Sequence, residues 1–79
     1  MKVYVAVHDF GGGHDTIRIF ATEAGAERYR QALAEEQWGE VFPGEAAPTM
    51  TPELADLYWN AAPEKNEEWF SSGEWEVEP

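Results

Sequence analysis

No cysteine occurs in this 79-residue chain, so neither a disulfide nor a thiolate metal site can brace it. That is compatible with a reducing compartment such as the cytoplasm. Basic residues are scarce, with five Lys and Arg against sixteen Asp and Glu for a net charge of −11. A small soluble domain usually carries a net charge of roughly 2–8 in magnitude. A field of this sign repels nucleic acid and anionic membrane, so direct nucleic-acid binding is not expected. No apolar run reaches 18 residues, so no membrane span is expected. The opening MKVYVAVHDFGGG has one lysine and a short apolar run, and reads as a first strand rather than a signal peptide. Nucleophile motifs are missing too: no thiol, and no serine in a strand-to-helix elbow. Gly11-Gly12-Gly13 lacks the spacing of a phosphate loop, and a strand rather than a helix follows it. An enzyme is therefore not the expectation, and no cofactor is implied.

Aromatics are plentiful: four Trp, three Tyr and four Phe supply buried area in a chain near the lower size limit for an independent core. The stretch around which the chain is organised is 16–38, where a short alternating segment runs into a helix. Thr22 is placed to cap that helix over 23–37, Glu23 lies in its first turn, and Gly39 is a terminator. Ala26, Tyr29, Leu33 and Ala32 form its expected inner stripe, with Glu27, Arg30, Gln31, Ala34 and Glu35 outward.

Residues 2–8 alternate Val3, Val5, Val7 against Tyr4, Ala6, His8. Both sets are apolar enough for a central strand or one covered on two sides. The glycine loop should join it to residues 16–21 as a hairpin burying Ile17 and Ile19. Pro43-Gly44 is a turn in a connector that Val41 and Phe42 anchor. Thr51-Pro52-Glu53 is a helix start, with Leu54, Leu57, Tyr58 and Ala61 inward and Pro63 as its stop. A short helix over 64–70 and a last strand, EWEVE at 74–78, complete the chain. Trp75 and Val77 are expected inward, and Glu74, Glu76 and Glu78 outward. The sequence thus predicts one α+β domain over residues 1–79. About three antiparallel strands carry two to three helices in the order β-β-α-α-(α)-β.

His8, Asp9, His14 and Asp15 gather around the glycine loop and are the sequence's one candidate set of metal ligands, though their spacing fits no standard motif. The acid is unevenly spread. Residues 1–39 hold six acids and four bases, whereas 40–79 hold ten acids and only Lys65. Glu74, Glu76 and Glu78 would stand about 6.6–6.8 Å apart along a strand face, close to every second phosphate of a DNA strand with its rise of about 3.4 Å. Glu64, Glu67 and Glu68 would neighbour one another on a helix, flanked by Glu45 and Asp56. These eight are the expected partner-binding residues, and a basic nucleic-acid-binding protein or effector complex is the expected partner. Ordinary solubility-driven acidity would produce the same composition.

The strand-to-helix run VYVAVHDFGGGHDTIRIFATEAGAERYRQALAEE, the EWEVE strand and the acidic second half resemble the small acidic anti-CRISPR proteins of phage and mobile elements. The resemblance lies in general character over the whole chain. It implies an inhibitor that imitates DNA and blocks the basic DNA-recognition surface of a CRISPR-Cas or similar defence effector. The alternative is an acidic adaptor or antitoxin-like binder that uses exposed aromatics such as Trp59 or Trp69. A contiguous apolar surface patch would favour that alternative.

Overall fold

The computed structural model describes residues 1–11, 13 and 15–78. Its elements are β1 (Lys2–Asp9), β2 (Asp15–Phe20), α1 (Glu23–Glu36), α2 (Trp38–Val41), α3 (Pro52–Asn66) and β3 (Trp69–Glu76). The strands form an antiparallel sheet in the order β2-β1-β3, with the helices on one of its faces. β1 is therefore central, as its two apolar faces suggested. It pairs Val5 with Ile19 and Val7 with Ile17 on one side, and Val3 with Trp75, Tyr4 with Glu74 and Ala6 with Ser72 on the other.

Both long helices start where their caps predict. Thr22 Oγ1 accepts from the Gly25 amide at 3.0 Å, and Thr51 Oγ1 from the Leu54 amide at 3.2 Å. α1 ends at Gln37 and not at Gly39, which lies inside α2. α2 seats Trp38 and Val41, both buried, so the connector is anchored as its sequence suggested. α3 does not stop at Pro63. A proline removes its own amide donor and crowds the carbonyl four residues back, yet burial of Tyr58 and Ala62 carries the helix on to Asn66. Glu67, in the left-handed region at φ 60°, caps it. Trp69 and Phe70 consequently open β3 rather than lying on a third helix.

The core lies between the helices and beneath them. Ala34, Trp38, Val41, Ala55, Tyr58 and Ala62 are its buried members. The inner stripes are turned by about one position from the expected ones. Ala34 replaces Ala32 on α1, Tyr29 is only half-buried, and Ala55 and Ala62 replace Leu57 and Ala61 on α3. Alanine at these contacts lets helix axes approach closely, and the aromatic rings fill the remaining volume. A chain of ring contacts of 4.5–6.2 Å runs from Phe20 through Tyr29, Phe70, Trp59, Tyr58 and Trp38 to Phe42. Each is worth about 0.5–1.5 kcal/mol beyond its area.

The largest departure from expectation concerns the sheet's two faces. The helices cover Tyr4, Ala6, His8, Phe20 and Phe70. Ile17 and Ile19 are 65% and 67% exposed and Trp75 is 62% exposed, on the face with no helix. Alternation was read correctly, but the face it buries was not. Two apolar faces on β1 left the sequence with no way to choose between them.

Candidate interaction surfaces

Of the eight acidic residues expected to bind a partner, Glu68 is withdrawn from solvent. It is 2% exposed, on the covered side of the sheet beside His8. His8 Nε2 donates to its Oε2 at 2.5 Å. The Tyr58 hydroxyl donates to its Oε1, and Asn66 Nδ2 donates to the same oxygen at 3.3 Å. His8 is fully buried, and Phe10 and Trp59 present ring contacts to it at 4.2 and 5.6 Å. Its Nδ1 has no hydrogen-bond partner among the described residues, which assigns the ring proton to Nε2. Burial and the adjoining Glu68 carboxylate push the Tyr58 phenol far above its ordinary range. This cluster ties β1 to α3 and to the chain entering β3. Sequence inspection missed it because a carboxylate among many acids gives no local sign of a histidine 60 positions away.

The seven other acids are exposed but do not make one surface. Asp56 is paired with Arg30 at 2.8 Å, Glu74 with Lys2 at 3.1 Å and Glu76 with the N-terminal amine at 3.4 Å. Glu64 and Glu67 sit at the Trp69 end of β3, whereas Glu76 and Glu78 lie at or past its other end, about 23 Å away along an extended strand. Glu45 follows α2. Glu45, Glu64, Glu67 and Glu78 form no ion pair among the described residues.

Arg30 organises the side of α1. It holds Glu27 through two hydrogen bonds at 2.8 and 3.1 Å as well as Asp56. Burial pulls the Glu27 carboxyl upward, but the Arg30 and Gln31 hydrogen bonds outweigh it and leave it below its ordinary value. Near the α1 N-terminus, a cleft of about 310 Å³ is edged by Glu23, Glu27, Glu74 and Tyr4. The sequence did not suggest it, because its acids come from separate elements.

Three of the four candidate metal ligands, His8, Asp9 and Asp15, are among the described residues. His8 faces the helices and is engaged by Glu68. Asp9 belongs to the opposite alternation, with its Oδ1 accepting from the Gly11 amide at 2.7 Å. Asp15 stands across from Asp9 in the register, and His14 lies outside the described residues. No group of three or more His, Asp or Glu among the described residues is arranged to hold a metal ion. Among those residues, no helix is long and apolar enough to cross a membrane.

The open face of the sheet is the remaining feature. Its interior carries Val3, Val5 and Val7 on β1, Ile17 and Ile19 on β2, and Ser71, Gly73 and Trp75 on β3. No charged side chain lies among them. Trp69 bounds one end, beside Asp9. At the other end, Met1 and Val77 are joined by a backbone hydrogen bond of 2.8 Å. Lys2, Arg18, Glu74 and Glu76 all belong to the alternate, helix-side set. Comparison with family models, curated proteins and solved structures gives no match to this chain.

Proposed function

We propose that this chain is a non-enzymatic protein-interaction module of the cytoplasm, an adaptor or antitoxin-like binder that works through the open face of its sheet. The carrying observation is that face itself. It is contiguous, apolar and free of interior charge, and Ile17, Ile19 and Trp75 are each more than 60% exposed. The fractional exposures of its side chains correspond to on the order of 700 Å² of accessible surface, given aromatic contributions of about 150–250 Å² for full burial. The largest apolar patch on a typical monomer is about 300–600 Å², and larger ones mark interaction sites. The test compares two sets of variants against a complex recovered with the untagged protein. Ile19→Lys and Trp75→Glu are expected to dissolve it, and raising the salt is not. Loss of the complex on charge reversal of Glu64, Glu67 and Glu78, with the face variants still bound, overturns this reading.

A second reading rests on the four acids that no cation among the described residues neutralises, Glu45, Glu64, Glu67 and Glu78. In it the protein is an acidic inhibitor that imitates DNA at the basic DNA-recognition surface of a CRISPR-Cas or similar defence effector. Burial of Glu68 and the pairing of Asp56, Glu74 and Glu76 reduce the charge available for that role. Binding of this kind weakens steeply with salt, so salt dependence separates the two readings.

A further inference from the structure

We infer that the first occupant of the open sheet face is a second copy of this chain, giving a two-fold dimer with sheets facing inward and helices outward. The inference rests on the interaction-module reading and names its partner. Three observations carry it.

The first is area. Two copies of a face of about 700 Å² bury about 1,400 Å² between them, within the roughly 1,200–2,000 Å² of a standard stable interface. The Cα atoms span 48 × 28 × 15 Å. Facing sheets pack about 10 Å apart with strands within about 30° of one another.

The second is charge. A chain of net charge −11 approaches its own copy only through a surface that carries none of that charge. The interior of the sheet face meets this condition; the acids that share its alternation, Asp9 and Asp15, stand at its Trp69 end, where the Asp9 carboxylate accepts from the Gly11 amide. The face interior has no cation to engage phosphate and no charge to select a basic or acidic protein.

The third is shape. The two edge strands complement each other across the central one. Val7 lies between Ile17 and Ser71, and Val5 between Ile19 and Gly73. A two-fold axis running along β1 sets β2 of one copy over β3 of the other at the same height. The projecting Ile17 of the second copy then meets the small Ser71. Its Ile19 meets the Trp75 indole, whose Nε1 lies 3.9 Å from the place a Cβ on Gly73 would occupy. Valines meet valines at the centre. A projecting side chain thus meets a small one at Ile17 and Ser71, and apolar side chains meet one another elsewhere along the face.

Sedimentation equilibrium of the full chain tests the inference. The expected result is a species of twice the 8.9 kDa chain mass, with a dissociation constant on the order of 1–10 µM, where interfaces of this size begin. High salt should preserve or tighten it, because screening removes repulsion and leaves apolar contact intact. Ile17→Lys with Ile19→Lys, on an exposed edge strand, should raise that constant on the order of 100-fold with the far-UV circular dichroism unchanged. Gly73→Lys on the opposite edge should do the same and guards against misfolding of the first variant. A single 8.9 kDa species at on the order of 100 µM, or a dimer indifferent to both variants, overturns the inference. If the chain is monomeric yet Ile19→Lys still dissolves a complex with another protein, the dimer falls and the module reading stands.

Discussion

Replacing Glu68 by alanine should be among the most damaging single changes in the molecule, although composition makes it look like one more surface acid. The carboxylate accepts from two fully buried donors, His8 Nε2 and the Tyr58 hydroxyl, and from the half-buried Asn66 amide. Truncation strands the first two where water does not reach, while Asn66 can turn to solvent. Each buried orphan costs about 1–3 kcal/mol, so the loss is about 2–6 kcal/mol. The whole fold, at about 0.05–0.15 kcal/mol per residue, is worth about 4–12 kcal/mol. Urea unfolding followed by circular dichroism should move the midpoint down by about 2 M or more, at a slope of about 1 kcal/mol per molar. Glu68→Gln, which keeps the shape and one acceptor, should fall between. The combination of His8→Leu, Tyr58→Phe and Glu68→Leu should be less destabilised than Glu68→Ala alone, because no polar group is then left stranded. A loss under about 1 kcal/mol for Glu68→Ala would refute the argument, since it would mean that water already satisfies the donors. It follows that charge reversal at Glu68 reports on folding and not on any partner.

Two further outcomes follow from the same geometry. Tyr58 holds its proton more tightly folded than unfolded, so the stability it lends is complete below its unfolded value of about 10 and drains away as pH rises past it. Urea midpoints measured from pH 8 to 11 should fall in the native chain and fall less steeply in Tyr58→Phe. Gly11 has φ +92°, and a Cβ there would stand 2.9 Å from the Asn66 carbonyl oxygen. Gly11→Ala should therefore cost about 1–3 kcal/mol, more than Gly13→Ala, where φ is +86° but no atom lies within 4 Å.

The local features were legible in the sequence. Thr22 and Thr51 are caps with their own chemistry, the helix over 23–37 is correct to within a residue at its end, and the β-β-α-α-α-β order holds. Non-local choices were not legible. Val3, Val5 and Val7 and Tyr4, Ala6 and His8 are equally plausible inner faces. The structure chose the second set because His8 finds Glu68 and Tyr58 there, and Ala6 leaves room beneath the helices. Pro63 is a breaker by local rules, yet the helix runs through it to Asn66, held by the stripe Ala55, Tyr58, Ala62 that leads up to it. Glu68 sits in a run of acids, and its burial depends on partners at positions 8 and 58. Of the eight acids singled out, the sequence could place none relative to Lys2, Arg30 or the chain's amine, whose pairing decides how much charge remains.

The sheet order has a consequence for how the chain is made. β1 is the first strand synthesised and the central one, and its second neighbour is the last strand of the three. About 50 residues separate the end of β2 from the start of β3, which at roughly 5–20 residues per second is about 3–10 s of translation. Throughout that interval the nascent β1–β2 hairpin shows one unpaired strand edge and two apolar faces. An edge of that kind is a template for a neighbouring nascent chain. Until Trp69 to Glu76 arrive, the molecule's ability to escape mispairing depends on how soon α1 folds back across it.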